Sequence, residues 1–497
     1  MKLVRFALGF ALGTLLSRIL GFLRDAGIAY YFGASHVSDA FFIAFRIPNS
    51  FRRLLGEGGF NAVFVPLYTK ALEEDREREF LSKVFTFYIV SNALITLLGI
   101  ILSEQIVSIL APGVRENETF ELAVFMARFL FLYLLLVGLS AFFMGVLNVK
   151  GNFFIPAVSQ GVFNFVFLLT LLLLADNYGY IALIAGVLVG GVFQVLINLP
   201  VLFKNKVSLS LFLKFDEDVR LLLRRLIPAL GGFGVNQLSL FIDTFLASFL
   251  RTGAISYLYY ANRLYQLPFG IVSVGVANSL LSVLSRKDSD KREQLTLAFR
   301  VLILLMVPAS AGLFLLSEEI VRAVYHRGSF TEEDVHFSAG ALSIYSLGLV
   351  FFSLQKSLSA SFFSQGDTKT PVKASLLTVL SEGVAASLFA FGFGLGVLGL
   401  PMGTALSSLV GLSYLWRRSP EKPTFKPVVS TLWKVFTATL LMSVLVYVLK
   451  ETGRSPVFIV ITTIPLSVIV YFVSLYLLGE ELTLRLGKRL VKKLLNP

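Results

Sequence analysis

Five arginines and three carboxylates crowd residues 15–61 of a chain that is otherwise strongly apolar. They are Arg18, Arg24, Arg46, Arg52 and Arg53 against Asp25, Asp39 and Glu57. A charge at mid-bilayer costs about 2.5–3.5 kcal/mol on insertion scales. A group of this size must therefore face water, one another or a charged ligand. Ion pairing that glues helices together is one reading. The surplus of guanidinium over carboxylate favours another, the recognition of an anion. A planar fork of N–H donors matches phosphate and carboxylate.

Helical spacing sorts these residues onto faces. Arg18 and Asp25 are seven apart and share one face of a first helix, with Ser17 and Arg24 on the adjoining face. In a second helix, Asp39, Arg46, Asn49, Arg53, Glu57 and Asn61 form one stripe, and Arg52 points about a third of a turn away. Pro48 and the run Gly56-Glu57-Gly58-Gly59 are bend points. Two neighbouring helices thus offer a cationic wedge to a common interior.

The elements that must position this wedge are membrane helices. The chain has 497 residues, 56% hydrophobic and 15% charged, with mean hydropathy +0.78. Apolar runs of about 20 residues recur throughout, the signature of a polytopic all-α membrane protein. The runs are continuous rather than alternating, which excludes a transmembrane barrel. Net charge is +13, but no soluble stretch is long enough to gather it into a nucleic-acid-binding domain. With no cysteine, disulfides, thiolate nucleophiles and Cys-based zinc sites are excluded. His36, His326 and His336 lack partners at ligand spacing, so no metal site is expected. The N-terminal run after Lys2 and Arg5 mimics a signal peptide. Arg18, Arg24 and Asp25 interrupt it, and it reads as a retained first helix.

Fourteen spans are expected, at 3–32, 37–68, 83–110, 120–147, 153–175, 179–203 and 219–250, then at 255–285, 295–316, 337–364, 372–395, 397–416, 429–449 and 456–478. Sorting Lys and Arg by the loops between them gives about thirty on one side and six on the other. That asymmetry predicts cytoplasmic termini and an even number of spans.

Internal similarity divides the spans. AFRIP at 44–48 matches ANRL at 261–264, SEQIV at 103–107 matches SEEIV at 317–321, and GNFFIP at 151–156 matches GDTKTP at 366–371. Near-constant offsets of 217, 214 and 215 make spans 1–6 and 7–12 two copies of one unit. Six is even, so the repeat is parallel, with a site expected at the interface between halves. The predicted organisation is residues 1–205 and 206–418 as two six-helix lobes around a V-shaped central cavity. Residues 419–497 add two further helices and a basic tail. Charge in the second half is sparse: Arg263 is the repeat partner of Arg46, with Asp243, Lys356 and Glu382 elsewhere.

SRILGFLRDAGIAYYFG at 17–33, DAFFIAFRIPNSFRRLLGEGGFNAVFVP at 39–66 and ANRLYQLP at 261–268 resemble the MurJ/MviN lipid II flippases. So do LNVKGNFFIPA at 147–157, VYHRGSFT at 324–331 and GDTKTP at 366–371. That family sits within the multidrug/oligosaccharidyl-lipid/polysaccharide exporter superfamily. The resemblance implies twelve core helices plus two. It also implies transport of undecaprenyl-pyrophosphate-linked disaccharide-pentapeptide from the inner to the outer leaflet of the bacterial cytoplasmic membrane. It makes the protein a transporter rather than an enzyme, and maps the family's cavity arginines onto Arg18, Arg24, Arg52 and Arg263, with Asp25 and Asp39 beside them. Two departures stand out: Gln266 and Asn262 occupy positions where many relatives carry acids.

Within this frame Arg24, Arg52 and Arg263 are expected to bind pyrophosphate, Asp25 to orient Arg24, and Arg18, Asp39, Arg46 and Arg53 to set the local field. Gly56, Glu57, Gly58 and Gly59 are expected to form the inner gate, although Glu57 serves equally as a local ion-pair partner. The last two spans read as a groove for the polyprenyl tail, or alternatively as packing. No cofactor is expected, and no GxxxxGK[ST] loop is present for ATP. Coupling to membrane potential or a cation gradient is expected instead. Asp243, Glu382 and Thr404 are candidates for a cation or proton site, against structural hydrogen bonding to Asn236 or Gln237. The partners expected are lipid II, membrane lipids and other cell-wall synthesis proteins, around a monomer. A polysaccharide-lipid flippase and a cation-coupled multidrug exporter share the fold. The arginine surplus disfavours the exporter. Loops this short disfavour a membrane glycosyltransferase, and a channel or scaffold leaves the arginines unexplained.

Overall fold

A computed structural model describes residues 2–56, 59–212, 214–286 and 290–484, without the side chains of 2–12, 14, 15, 53–56 and 228–236. Every regular element among these residues is helical. In order they are α1 (Lys2–Phe32), α2 (His36–Gly56), α3 (Gly59–Glu73), α4 (Glu77–Ile101), α5 (Ser103–Leu110) and α6 (Glu118–Leu130). There follow α7 (Leu132–Val149), α8 (Phe154–Tyr178), α9 (Ile181–Leu196), α10 (Leu199–Lys204), α11 (Glu217–Ala247) and α12 (Ala254–Pro268). A π-helical turn at Phe269–Ser273 leads into α13 (Val274–Leu284), α14 (Lys291–Leu315), α15 (Ser317–Tyr325) and α16 (Glu332–Ser364). The chain ends with α17 (Lys369–Ser387), α18 (Gly399–Arg418), α19 (Phe425–Lys450) and α20 (Pro456–Leu477).

Among the described residues, eleven helices are long and apolar enough to cross a membrane. Fourteen were expected. The three expected spans outside this count are 3–32, 37–68 and 219–250. They are helical where described; the count covers only the described residues, and of the three α2 is low in hydropathy, with Asp39, Arg46, Arg52 and Arg53 within its 21 residues. Length and composition thus make this a multi-pass membrane protein without establishing fourteen spans.

The sequence repeat reappears as local geometry. Leu102 breaks α4 from α5 at φ −91°, ψ 12°, and Leu316 breaks α14 from α15 at φ −102°, ψ 15°. Gly151 and Gly366 take φ of 77° and 78°, the left-handed region open to glycine. In both turns the glycine N–H donates three residues back, to Asn148 or Phe363. The next N–H donates five back, to Leu147 or Phe362. The helices that follow carry Pro156 and Pro371 in their first turns.

The contacts cluster into two compact units, Met1–Ser256 with Arg327–Phe330, and Tyr257–His326 with Thr331–Pro497. In the first, Phe60, Phe64 and Tyr68 lie four apart on α3 and form one aromatic face. They pack on Phe80 and Tyr88 of α4 and Phe142 of α7, with ring centroids 4.6–6.2 Å apart. α1 lies along α8, and α11 packs on α2, α3 and α4. Residues 327–330 join this unit: the Ser329 N–H donates to the Tyr30 carbonyl at 2.8 Å and its hydroxyl to that of Tyr31 at 3.0 Å.

One edge of this unit is built from ion pairs. Lys83 is only 3% exposed and binds both Glu79 and Asp216. Asp216 also caps α11 through the N–H groups of Asp218 and Val219. Burial alone would raise the Asp216 carboxyl, but the Lys83 ammonium and those two N–H groups outweigh it and hold it below its ordinary value.

In the second unit, Ile303 and Leu304 of α14 form a core with Val435, Ala438 and Met442 of α19 and Tyr471 and Leu475 of α20. Arg300 of α14 donates to Glu480 at 2.9 Å, Glu481 at 3.3 Å and Thr431 at 2.8 Å. Lys434 of α19 donates to the Gly479 carbonyl at 2.7 Å. The last two long helices are thus fastened to α14 by a buried charge cluster as well as by apolar packing.

Candidate functional site

The site builds outward from α1, α2 and α8. Small residues set the approach of α1 to α8: a Cβ on Gly13 would meet that of Ala157 at 3.0 Å. This brings Arg24 onto α8. Its Nε and Nη2 donate to Asp25 Oδ1 at 3.0 and 2.6 Å, and its Nη1 donates to Asn164 Oδ1 at 3.0 Å. The guanidinium lies 5.4 Å from the centroid of the Phe167 ring, within cation–π range. Arg24 is 8% exposed and Asp25 fully buried. Asn164 Nδ2 donates in turn to the Ser17 carbonyl at 3.1 Å. The seven-residue spacing of Ser17 and Arg24 is therefore read by one amide on the facing helix.

Arg52 repeats the arrangement one turn along α8. Its Nε donates to Asn49 Oδ1 at 3.0 Å and its Nη1 to Gln160 Oε1 at 3.1 Å. Gln160, Asn164 and Phe167 are four and three apart, so they share one face of α8. Sequence reasoning missed the two α8 residues. The available signal was a pair of amides four apart inside an apolar span, a position that polar residues occupy for a reason.

Asp39 has a different environment. It is 3% exposed, and its carboxylate accepts from the Gly253 N–H at 2.6 Å, the Ser256 N–H at 2.9 Å and the Ser256 hydroxyl at 2.6 Å. These groups lie at the start of α12, so Asp39 supplies from α2 the capping oxygens that a helix N-terminus requires. Arg263 lies further along α12, half-buried and in the second compact unit. Arg18 is exposed and Arg46 half-buried. The Arg53 side chain, Glu57 and Gly58 lie outside the described residues, as do the surroundings of Gly56, which closes α2. Gly59 is buried at the start of α3.

Of the candidate ion-coupling residues, Glu382 on α17 and Thr404 on α18 meet: the Thr404 hydroxyl donates to the Glu382 carboxylate at 2.8 Å, with both buried. Asp243 is buried on α11 in the first unit.

Chemically, the α1–α2–α8 arrangement presents two guanidinium groups on fixed supports, which suits an anion with more than one oxygen to share. Comparison with known proteins agrees in kind. The family model described as lipid II flippase MurJ matches residues 28–476. A protein named probable lipid II flippase MurJ from Aquifex aeolicus is 44% identical over 483 residues, covering 97% of this chain and 96% of that one. A solved structure of lipid II flippase MurJ in an inward closed conformation superposes with TM-score 0.85 at 28% identity, covering 95% of this chain and 99% of that one. An inward-facing multidrug resistance MATE transporter shares the fold alone, with TM-score 0.68 at 17% identity over 83% of this chain and 95% of its own. The family model and the Aquifex relative each cover most of the chain, and the chain belongs to the MurJ lipid II flippase family.

Proposed function

We propose that this protein is a lipid II flippase, moving the undecaprenyl-pyrophosphate-linked disaccharide-pentapeptide from the inner to the outer leaflet of the cytoplasmic membrane. The observation that carries the reading is the pair of arginines, Arg24 and Arg52, fixed on α8 within a chain of this family. The cargo has an anionic, hydrated head and an apolar tail. A protein that moves it must hide the head from lipid while leaving the tail there. Arg24, Arg52 and Arg263 are the pyrophosphate-binding residues on this reading, and Asp25 orients Arg24. Arg18, Arg46 and Arg53 supply the surrounding positive field. Asp39 holds the start of the helix that carries Arg263. Transport proceeds by alternating access, with Gly56, Glu57, Gly58 and Gly59 as the inner gate. The Glu382–Thr404 pair and Asp243 are the sites for a coupling cation or proton, and the chain works without a cofactor as a monomer with cytoplasmic termini.

The test is complementation of cells depleted of their own lipid II flippase, scored by the lipid II reachable by an externally added reagent. Wild type restores that pool on this reading. Cure of a polysaccharide-lipid defect with no change in exposed lipid II would transfer the protein to the sister class of flippase.

A further inference from the structure

The segment between α10 and α11 takes no part in cargo binding on the reading above, yet it holds large apolar side chains at a fixed place. After α10 the chain turns at Lys206, with φ 53°, and Val207 and Leu209 pack on the aromatic core around Phe60, Phe64 and Phe142. It then follows α4. Ser210 and Ser82 share a hydrogen bond of 2.7 Å between their hydroxyls, the Phe212 N–H donates to the Thr86 hydroxyl at 2.8 Å, and the Phe215 ring centroid lies 6.0 Å from that of Phe87. Asp216 then comes back to Lys83. From Ser82 to Phe87 is about 7.5 Å along a helix axis, so the chain rises along α4 and returns. Leu211, Phe212 and Phe215 in this bend are each more than half exposed.

The helix beside the bend says what covers it. α4 is long and apolar enough to cross a membrane. Phe87, Val90, Leu94, Leu98 and Ile101 fall on one stripe at helical spacing, and the last four are exposed. Such a stripe on a membrane span faces lipid, and Phe215 packs at its head. The bend therefore continues the lipid-facing surface past the span. Residues 207–212 are extended rather than helical, and irregular backbone is not tolerated against hydrocarbon. That sets the depth: the level of the headgroups, where water reaches the backbone and aromatic rings concentrate. Lys206 and Lys214, both exposed, stand before and among the apolar residues, and their long stems let the ammonium groups reach phosphate from there. Exposed acids at Asp75 and Glu217 balance them, which suits phospholipid in general rather than an anionic class. We propose that the segment joining α10 to α11 is an interfacial anchor: Leu211, Phe212 and Phe215 insert into the phospholipid leaflet beside the start of α4, with Lys206 and Lys214 at its phosphates. By sequence it is a loop between the expected spans 179–203 and 219–250. The anchor grips one leaflet whatever the cargo is.

The chain has no cysteine, so single nitroxide labels can be attached without background. Leu211→Cys, Phe212→Cys and Phe215→Cys are labelled one at a time in the full-length protein, in phospholipid vesicles. Power saturation then measures collision of each label with oxygen, which concentrates in lipid, and with a nickel chelate, which stays in water. Glu73→Cys, exposed at the end of α3, is the water reference, and Leu94→Cys, on the exposed stripe of α4, is the lipid reference. The three bend labels should give an oxygen-to-nickel ratio several-fold above that of Glu73→Cys and below that of Leu94→Cys. All three substituted side chains are exposed, and three separate positions keep the test open if one label disturbs the fold. Ratios equal to that of Glu73→Cys would make the segment a solvated loop and overturn the proposal. Low collision with both reagents at all three positions would mean that protein covers the bend, such as a second copy of the chain, and would overturn it as well.

Discussion

At the scale of single residues, the charges of the first two helices divide by the company they keep. Arg24 is held by Asp25 and the α8 amide of Asn164, and Arg52 by Asn49 and the α8 amide of Gln160, whereas the Asp39 carboxylate is occupied by the first N–H groups of α12. Arg24→Ala or Arg52→Ala should cost about 1.5–3 kcal/mol of cargo binding per charged hydrogen bond lost. Lysine should restore only part of it, having no fork. Titration of undecaprenyl pyrophosphate onto the purified variants measures both. Asp39→Ala should act differently. It strands buried N–H groups at 253 and 256, so thermal stability should fall by about 1–3 kcal/mol, whatever the cargo. Unchanged melting would mean that other groups cap α12. The sequence indicated that Asp39 was unusual, but not that its oxygens were committed. Helical spacing places a residue on a face and does not say which backbone arrives opposite it. The same limit hid Gln160 and Asn164: an amide in an apolar run looks incidental until a neighbouring helix supplies the arginine.

At the scale of elements, two charge clusters fasten helix ends. Asp216 is held below its ordinary carboxylate value in the folded protein, so its contribution to stability is present above the unfolded value near 3.9 and is lost as pH falls through the folded one. Asp216→Asn keeps a capping oxygen and removes the charge facing Lys83. It should lower stability at pH 7 by about 1.5–3 kcal/mol, and the gap to wild type should close below about pH 4. A gap that persists at acid pH would assign the effect to the cap instead. Glu480 is 1% exposed and faces both Arg300 and Lys434. Removing one partner of such a buried cluster costs about 3–5 kcal/mol. Glu480→Ala should therefore speed amide exchange in α19 and α20 while leaving α1–α8 protected. Residues 72–83 mix signs as a solvated helix end does, and nothing in that pattern marks Lys83 for burial. Its burial comes with the contacts that Ser210, Phe212 and Asp216 make on α4, which no local pattern announces.

At the scale of the whole molecule, the repeat was the most legible feature. Weak matches at a near-constant offset became paired turns at Gly151 and Gly366 with the same φ and the same hydrogen bonds. They also became paired helix breaks at Leu102 and Leu316. Backbone geometry of this kind is set by a few residues, so it survives when most side chains have diverged. The fold class followed from composition, because only helices satisfy their own backbone in lipid at this apolar content. The count of spans was less legible, since α2, which bears the proposed arginine stripe, departs from membrane composition. Three arginines and an aspartate make α2 a poor span by composition, and that departure is what pointed to a bound anion.

The central claim is that these arginines carry a pyrophosphate-linked lipid across the membrane. The most direct measurement reconstitutes the purified protein into vesicles loaded with lipid II and follows how much of it becomes accessible to an enzyme added to one side. Wild type is compared with Arg24→Ala, Arg52→Ala and Arg263→Ala at equal incorporation. Rapid exposure by wild type and loss of at least tenfold in rate in each variant, equivalent to about 1.4 kcal/mol, is the predicted result. Wild-type rates in all three variants would contradict it and reduce the arginine cluster to scaffolding.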